Sequence, residues 1–373
     1  MNASRTRTIA AAGLLLGLCL ALGACSGSAV NASAAGITSV TCHDDTSDAA
    51  RVQAAIDASS PGTAIQIGGG TCLLTRGLVL TGNRTYAGAS TTGTVLKQAG
   101  SMGYVLASSN YTGNSTTTGD PLQIRDLTVD CSGTKDTDGI VILNWQVNVQ
   151  QVDVHDCGGN GITDTSVPEN DKPITNTSVN SRFENDFISN SGQYGFAVID
   201  PVNAVTDGFF TDNQVADSGN DGVYLQNAEG WNITGNHLYG DGEDGIDAAR
   251  LYGTTIASNY IEDFGAGRQS GTWYGIHGTA QDGPGSVILG NKVFNNGELA
   301  EARYAYIAVT TANSGTGHLS VSANVVQTMA GRDQAFDFTG EPHQLVVASA
   351  GNQVSGPGAV RTVGSGATVT AGT

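Results

Sequence analysis

The stretch WNITGNHLYGDGEDGIDAARLYGTTIASNYIEDF, residues 231–264, says one thing twice. ITGNHLY and IASNYIE place Asn236 and Asn259 at the fourth position of one seven-residue pattern. EDGIDA, between them, belongs to a second pattern built on Gly245. Two short patterns that alternate along a chain are the mark of a repeat architecture.

Both patterns extend in both directions. The glycine pattern reads TDGIVI at 137, GNGITD at 159, QYGFAV at 193, NDGVYL at 220, EDGIDA at 243, WYGIHG at 273, RYAYIA at 303 and DQAFDF at 333. Gly139, Gly161, Gly195, Gly222, Gly245 and Gly275 hold one position, and Ala305 and Ala335 continue it. The asparagine pattern runs through Asp186, Asn213, Asn236, Asn259, Asn291 and Asn324. An asparagine amide donates and accepts, so a stacked column of them satisfies itself. Asp186 only accepts when ionised and is expected at the end of the column.

Repeats with two or more short strands each predict an all-β solenoid whose turns stack into one shared core. The composition agrees: 52 glycines and 6% aromatics suit short strands and tight turns better than helices. The residue after each glycine (Ile140, Ile162, Phe196, Val223, Ile246, Ile276) is apolar and is read as inward, so the next one points out. SDAARVQAAIDASS, 47–60, reads as a short amphipathic helix with Val52, Ala55 and Ile56 on one face. Such a helix covers an open solenoid end.

Asp45-Thr46, Gln53 to Asp57, Gly62 to Ile67 and Gly70-Thr71 resemble the start of the pectate-lyase-like, polygalacturonase-like superfamily. The resemblance covers residues 41 to about 360 and implies a right-handed parallel β-helix with a short N-terminal capping helix. It implies action on polysaccharides, by hydrolysis, lyase chemistry or uronate epimerisation. The family's usual proline and aromatic near Gly68 and Cys72 are missing here.

The outward column then reads Val141, Thr163, Ala197, Tyr224, Asp247, His277, Ile307, Asp337. Tyr224, Asp247 and His277 on three consecutive turns would lie about 5 Å apart. With Asp244 they are the expected catalytic groups, because a phenol, carboxyls and an imidazole can exchange protons with a substrate. Arg250, Asp221, Glu243, Trp273 and Tyr274 are the expected substrate-binding groups. GNDG (219–222) and GEDG (242–245) resemble in place two acidic turns of polygalacturonases, which maps acids to Asp221, Glu243 and Asp244. YGF (194–196) resembles the start of an epimerase motif but lacks its aspartate and histidine. Asp and Asn before a glycine also suit turns, so Asp138, Asn160, Asp221 and Asp244 have a purely structural reading as well. Long turns at 164–175, 263–274 and 295–304 are expected to wall a groove.

Residues 1–24 read as a lipoprotein signal peptide: Arg5 and Arg7, an apolar run, then LGAC. LGAC resembles the bacterial lipobox and implies a lipid on Cys25, hence a protein anchored outside the cytoplasmic membrane. Residues 25–40 read as a flexible tether and 41–373 as the β-helix domain. Without Arg5 and Arg7, 14 of the 16 basic residues remain against 34 acids, a net charge of −20. That excludes nucleic acid as a partner and favours a neutral or weakly charged extracellular polysaccharide. Cys42, Cys72, Cys131 and Cys157 are expected to form two disulfides in an exported protein. Cys42–Cys72 with Cys131–Cys157 is the most local of three pairings. No zinc motif is present, and no cofactor is expected unless a uronic-acid polymer brings Ca²⁺. The oligomeric state has no signature in the sequence. The leading expectation is a glycoside hydrolase; the alternatives are a lyase or C5-epimerase, and a non-catalytic glycan- or wall-binding solenoid.

Overall fold

The computed structural model describes residues 36–267, 270–297, 299–312, 315–341 and 343–371. The signal segment 1–24, Cys25 and the tether as far as Ala35 lie outside the described residues. The last part of the expected tether is a strand. Ile37–Val40 pairs in parallel with Ala64–Ile67, so the folded domain begins before residue 41. Its hydrogen bonds to the next turn explain why the β-branched-rich Ile-Thr-Ser-Val run does not stay loose.

The chain is a right-handed parallel β-helix. One sheet contains eleven strands, from Leu78–Leu80 at one end to Ala359–Val363 at the other. The remaining long sheet is a bent pair of strand columns. Asn232–Thr234 pairs with Thr255–Ala257, and beyond the bend His237–Tyr239 pairs with Tyr260–Glu262.

The asparagines sit just past that bend. The residue before each is left-handed: Asn185, Asp212, Gly235, Ser258, Gly290 and Ala323 all have φ between 55° and 73°. That residue turns the chain, and the following Asn points inward to bridge turns. The Nδ2 of Asn236 donates to Asn259 Oδ1 at 2.9 Å, that of Asn259 to Asn291 at 3.0 Å, and that of Asn291 to Asn324 at 3.0 Å. Each amide also donates to a carbonyl of the preceding turn, as Asn259 does to Ile233 at 2.9 Å. The ladder runs one step further than the sequence pattern, to Asn352. Asp186 closes its other end, where it accepts from the Val152 N–H at 2.8 Å. Burial holds the Asp186 carboxyl well above the ordinary carboxylate pKa.

The glycines answer to crowding, since none of the six has positive φ. A Cβ on Gly195 would stand 2.3 Å from Val215 Cγ1 and 2.7 Å from the carbonyl of Gly222. The apolar residue after each glycine is fully buried, from Ile140 to Ile276. The pattern slips by one residue late in the coil. Ile276 pairs with Ile307, so Tyr306 rather than Ala305 follows Gly275; its buried ring packs edge-on against Phe264. Ala335 then returns to the expected position.

The helix spans Asp48–Asp57 and buries Ala49, Val52 and Ile56 against the first turn. Asp48 is also buried and accepts from the N–H groups of His43, Asp45 and Leu73 and from the Arg51 guanidinium. The disulfides are Cys42–Cys72 and Cys131–Cys157, the most local pairing. Both suit an oxidising compartment. No helix of the described residues is long and apolar enough to cross a membrane.

Candidate active site

Strand pairing stacks Val141, Thr163, Ala197, Tyr224, Asp247 and His277 in one column on the outer face of the eleven-stranded sheet. The next members are Ala308 and Asp337. Ile307, expected in this column, is instead fully buried, because the one-residue slip at Tyr306 moves it to the inward face.

Asp247 and His277 meet: Oδ1 lies 3.1 Å from Nδ1. Asp244 Oδ2 lies 3.9 Å from the same nitrogen. Tyr274 stacks on the His277 ring, with centroids 4.5 Å apart and planes 17° from parallel. On the opposite side of Asp247, Tyr224 stacks on Tyr194 at 4.5 Å and 13°. Two stacked aromatic pairs thus flank the carboxylates along the coil. The sequence reading gave Tyr194 no site role. Its signal was present, as a tyrosine one turn before Tyr224 among the residues that precede the glycines.

Asp221 and Asp244 hold two roles through two oxygens. Asp221 Oδ1 accepts the Asp244 N–H at 2.9 Å, and Asp244 Oδ1 accepts the Tyr274 N–H at 2.8 Å. Asp138 does the same for Asn160, at 2.7 Å. The turn reading is therefore right for one oxygen of each. Asp244 Oδ2 remains for chemistry. Asp244 is only 7% exposed. Burial, then the Asp221 charge, holds its carboxyl well above the usual range. Burial likewise pushes Asp221 up to about 7, against the opposing N–H of Asp244 and with help from Asp247 and Glu243. Beneath the same turn is Asp241, fully buried and raised by burial, with Oδ2 against Gly222. Sequence reasoning did not single it out. Burial also raises the Tyr224 phenol, with Asp247 and Asp221 adding to it, so Tyr224 is a proton donor rather than a base at neutral pH.

These shifts have a stability consequence. Unfolded, Asp221 loses its proton near pH 4; folded, it keeps it to about 7. The folded state binds more protons in that window, so stability falls as pH rises through it, by about 4 kcal/mol in total. Asp221→Asn keeps an oxygen for the Asp244 N–H and removes the charge. It is expected to raise stability at pH 8 by a few kcal/mol and to change little at pH 4. Urea unfolding at both pH values checks this; a variant equally destabilised at both would contradict it.

Two expected binding groups do not join the cluster. Arg250 falls in a bulge between Ala248 and Leu251, at φ 59°, where strand alternation breaks. No hydrogen bond or ion pair links it to Asp244, Asp247 or His277 among the described contacts. Trp273 is partly buried against the core, with Gly265 and Gly271 close to its ring. Tyr274 and Glu243 are at the site. Glu243 raises both Asp244 and Asp221. Of the long turns, 164–175 walls one cavity, through Val167, Pro168, Glu169 and Asp171, and described residues of the other two, Gly267 with Leu299, Ala300 and Glu301, line another.

Oxygens of Asp244 and Asp247 and a nitrogen of His277 lie within 4.8 Å of one another, a donor set that a divalent cation can use. Asp130, His155 and Asp156 form a second such group, where Lys97 already pairs with Asp130 at 2.6 Å.

The family model described as "Right handed beta helix region" matches residues 113–326. The chain belongs to the right-handed β-helix family. That span holds the whole Tyr194–His277 cluster. Among solved structures, this β-helix is similar to the A-module of the Azotobacter vinelandii mannuronan C-5 epimerase AlgE4. The two share 17% identity and a TM-score of 0.59, over 90% of this chain and 97% of that one. It is also similar to the catalytic domain of a GH87 α-1,3-glucanase, at 14% identity and TM-score 0.58, over 89% and 67% of the two chains. The Dettilon tailspike protein follows with 12% identity and TM-score 0.55, over 85% and 68%. These likenesses establish the β-helix and leave its chemistry to the site. No curated protein matches the sequence.

Proposed function

We propose that this β-helix is a polysaccharide-cleaving enzyme, a glycoside hydrolase held outside the cell membrane by a lipid on Cys25. The observation that carries the reading is the pairing of two unlike carboxyls. Asp244 is buried, with its carboxyl held well above the ordinary range, and Asp247 is half-buried with Oδ1 3.1 Å from His277 Nδ1. Glycoside hydrolysis needs one carboxylic acid to protonate the leaving oxygen and one carboxylate on the other side of the reaction. Asp244 Oδ2 is the acid, and Asp247 is the second carboxylate. His277 fixes Asp247, and Tyr274 fixes the His277 ring by stacking. Tyr224 and Tyr194 border the carboxyls on the other side. Fold relatives named for reactions on polysaccharides, a mannuronan epimerase and an α-1,3-glucanase, support the substrate class.

The test is a panel of extracellular glycans incubated with the soluble domain. New reducing ends without unsaturated-uronate absorbance support hydrolysis. Absorbance, or a changed uronate by NMR without cleavage, would replace it with the lyase or epimerase reading. Glycan binding without any product would leave a binding solenoid. Because the acid must hold its proton, kcat/KM is expected to fall with rising pH only where Asp244 itself ionises, well above the ordinary carboxylate range, and the Asp221 charge, present above about 7, delays that fall. The pair titrates together, so the pH of the fall depends on both groups. A rate that climbs steadily to pH 9 would contradict an acid at this position.

A further inference from the structure

The columns of the site run on beyond Tyr194. Further toward the N-terminus, a cavity of about 190 Å³ opens on the same face. It would hold about six waters at ~30 Å³ each, the space of one sugar ring. Its floor continues the two columns of the site: Asp138 and Asn160 precede their glycines, and Thr163 lies in the outward column. Thr163 stands three turns before Asp247. At the spacing of parallel strands that is roughly 14 Å, a few pyranose units along a bound chain.

The walls have a definite character. Tyr111 forms one side, and the turn carrying Pro168, Glu169 and Asp171 forms another. That turn is pinned: Ile174 is buried with Leu143 and Ala204, and Tyr111 packs on the same small cluster. The wall is thus part of the folded body. Asn160 and Thr163 supply polar groups on the floor, where Asn160 Nδ2 donates to Thr163 Oγ1 at 3.1 Å. Three carboxyls line the space: Asp138, Glu169 and Asp171. Of the described lining residues, none is lysine or arginine. Beyond the Tyr194 turn, which carries no acid in either column, lie Asp221, Asp244 and Asp247.

A sugar-sized cavity with an aromatic side, hydroxyl-binding groups and only negative charge repels a uronate and holds a cation. We propose that the substrate is a polysaccharide with free amino groups, and that this cavity binds one protonated amino sugar a few units from the cleaved bond. The proposal deepens the polysaccharide-enzyme reading and rests on it. Burial lifts Asp138 to about 6, so its share of the attraction is present above that pH and lost below it.

The test measures binding on the Asp247→Asn protein, whose turnover is expected to be about 10²–10⁴-fold slower. The probes are gluco- and galacto-configured polyamine glycans, the same chains fully N-acetylated, and galacturonate oligomers. The free amines are expected to bind tightest, with affinity falling as salt rises. Adding Glu169→Gln and Asp171→Asn together is expected to weaken amine binding about tenfold and to leave the acetylated chains unchanged. These two side chains are exposed, so the fold stays intact. Equal or tighter binding of acetylated or uronate chains would overturn the amine assignment and spare the polysaccharide reading. Unchanged amine affinity in the double variant would overturn the cavity's role. No binding of any glycan would overturn both.

Discussion

Asp247→Asn is expected to lower kcat by about 10²–10⁴-fold, the usual contribution of a positioned acid or base. Asparagine has the same shape and keeps an oxygen toward His277 Nδ1, now 3.1 Å away. The column and the fold therefore survive, and only the negative charge is lost. KM is expected to change little, because Asp247 acts on the reacting bond rather than along the chain. His277→Ala is expected to give a loss of similar size, since it removes the group that orients Asp247. The double variant is expected to be no worse than the more damaged single one, because the two act as a unit. Steady-state kinetics on the active glycan check this. Near-normal turnover in either variant, or losses that multiply, would move the chemistry away from this pair.

Asn259→Ala is expected to destabilise the domain by about 3–5 kcal/mol, as several buried groups lose their partners at once. Asn259 is 1% exposed. Its Nδ2 serves the Ile233 carbonyl and Asn291 Oδ1. Its Oδ1 takes the N–H and the Nδ2 of Asn236. Alanine leaves these groups dry and unpaired, with a cavity between two turns. Asn352→Ala removes the same chemistry from the ladder's partly exposed end, where water can replace it, so its loss is expected to be much smaller. Thermal and urea unfolding of both variants measure the difference. Equal losses at 259 and 352 would mean that the ladder is not a buried network.

Much of this was legible in one dimension. The glycine and asparagine registers, the capping helix, the local disulfide pairing and the Tyr224–Asp247–His277 column can all be read from spacing. Each depends on a neighbour exactly one turn away, and a repeat writes that neighbour into the sequence. The reading failed where the spacing was ambiguous. RYAYIA offers two residues for the glycine position, and only the packing of Tyr306 against Phe264 chooses between them. Arg250 stands in a bulge, which alternation does not announce. Nor does spacing announce the glycines that lie close to the Trp273 ring.

The sequence by itself determined the coil, its inward and outward faces, and which chemical groups share a column. Period-two alternation and a fixed turn length are local rules, and local rules are written in residue order. The tertiary structure alone decided how those groups differ. Asp221, Asp244 and Asp247 look alike as letters. Only the stacked turns bury Asp244 beside Asp221 and raise it, while leaving Asp247 half-buried against His277. Desolvation and the charge of a neighbour depend on distances in space, which residue order does not carry.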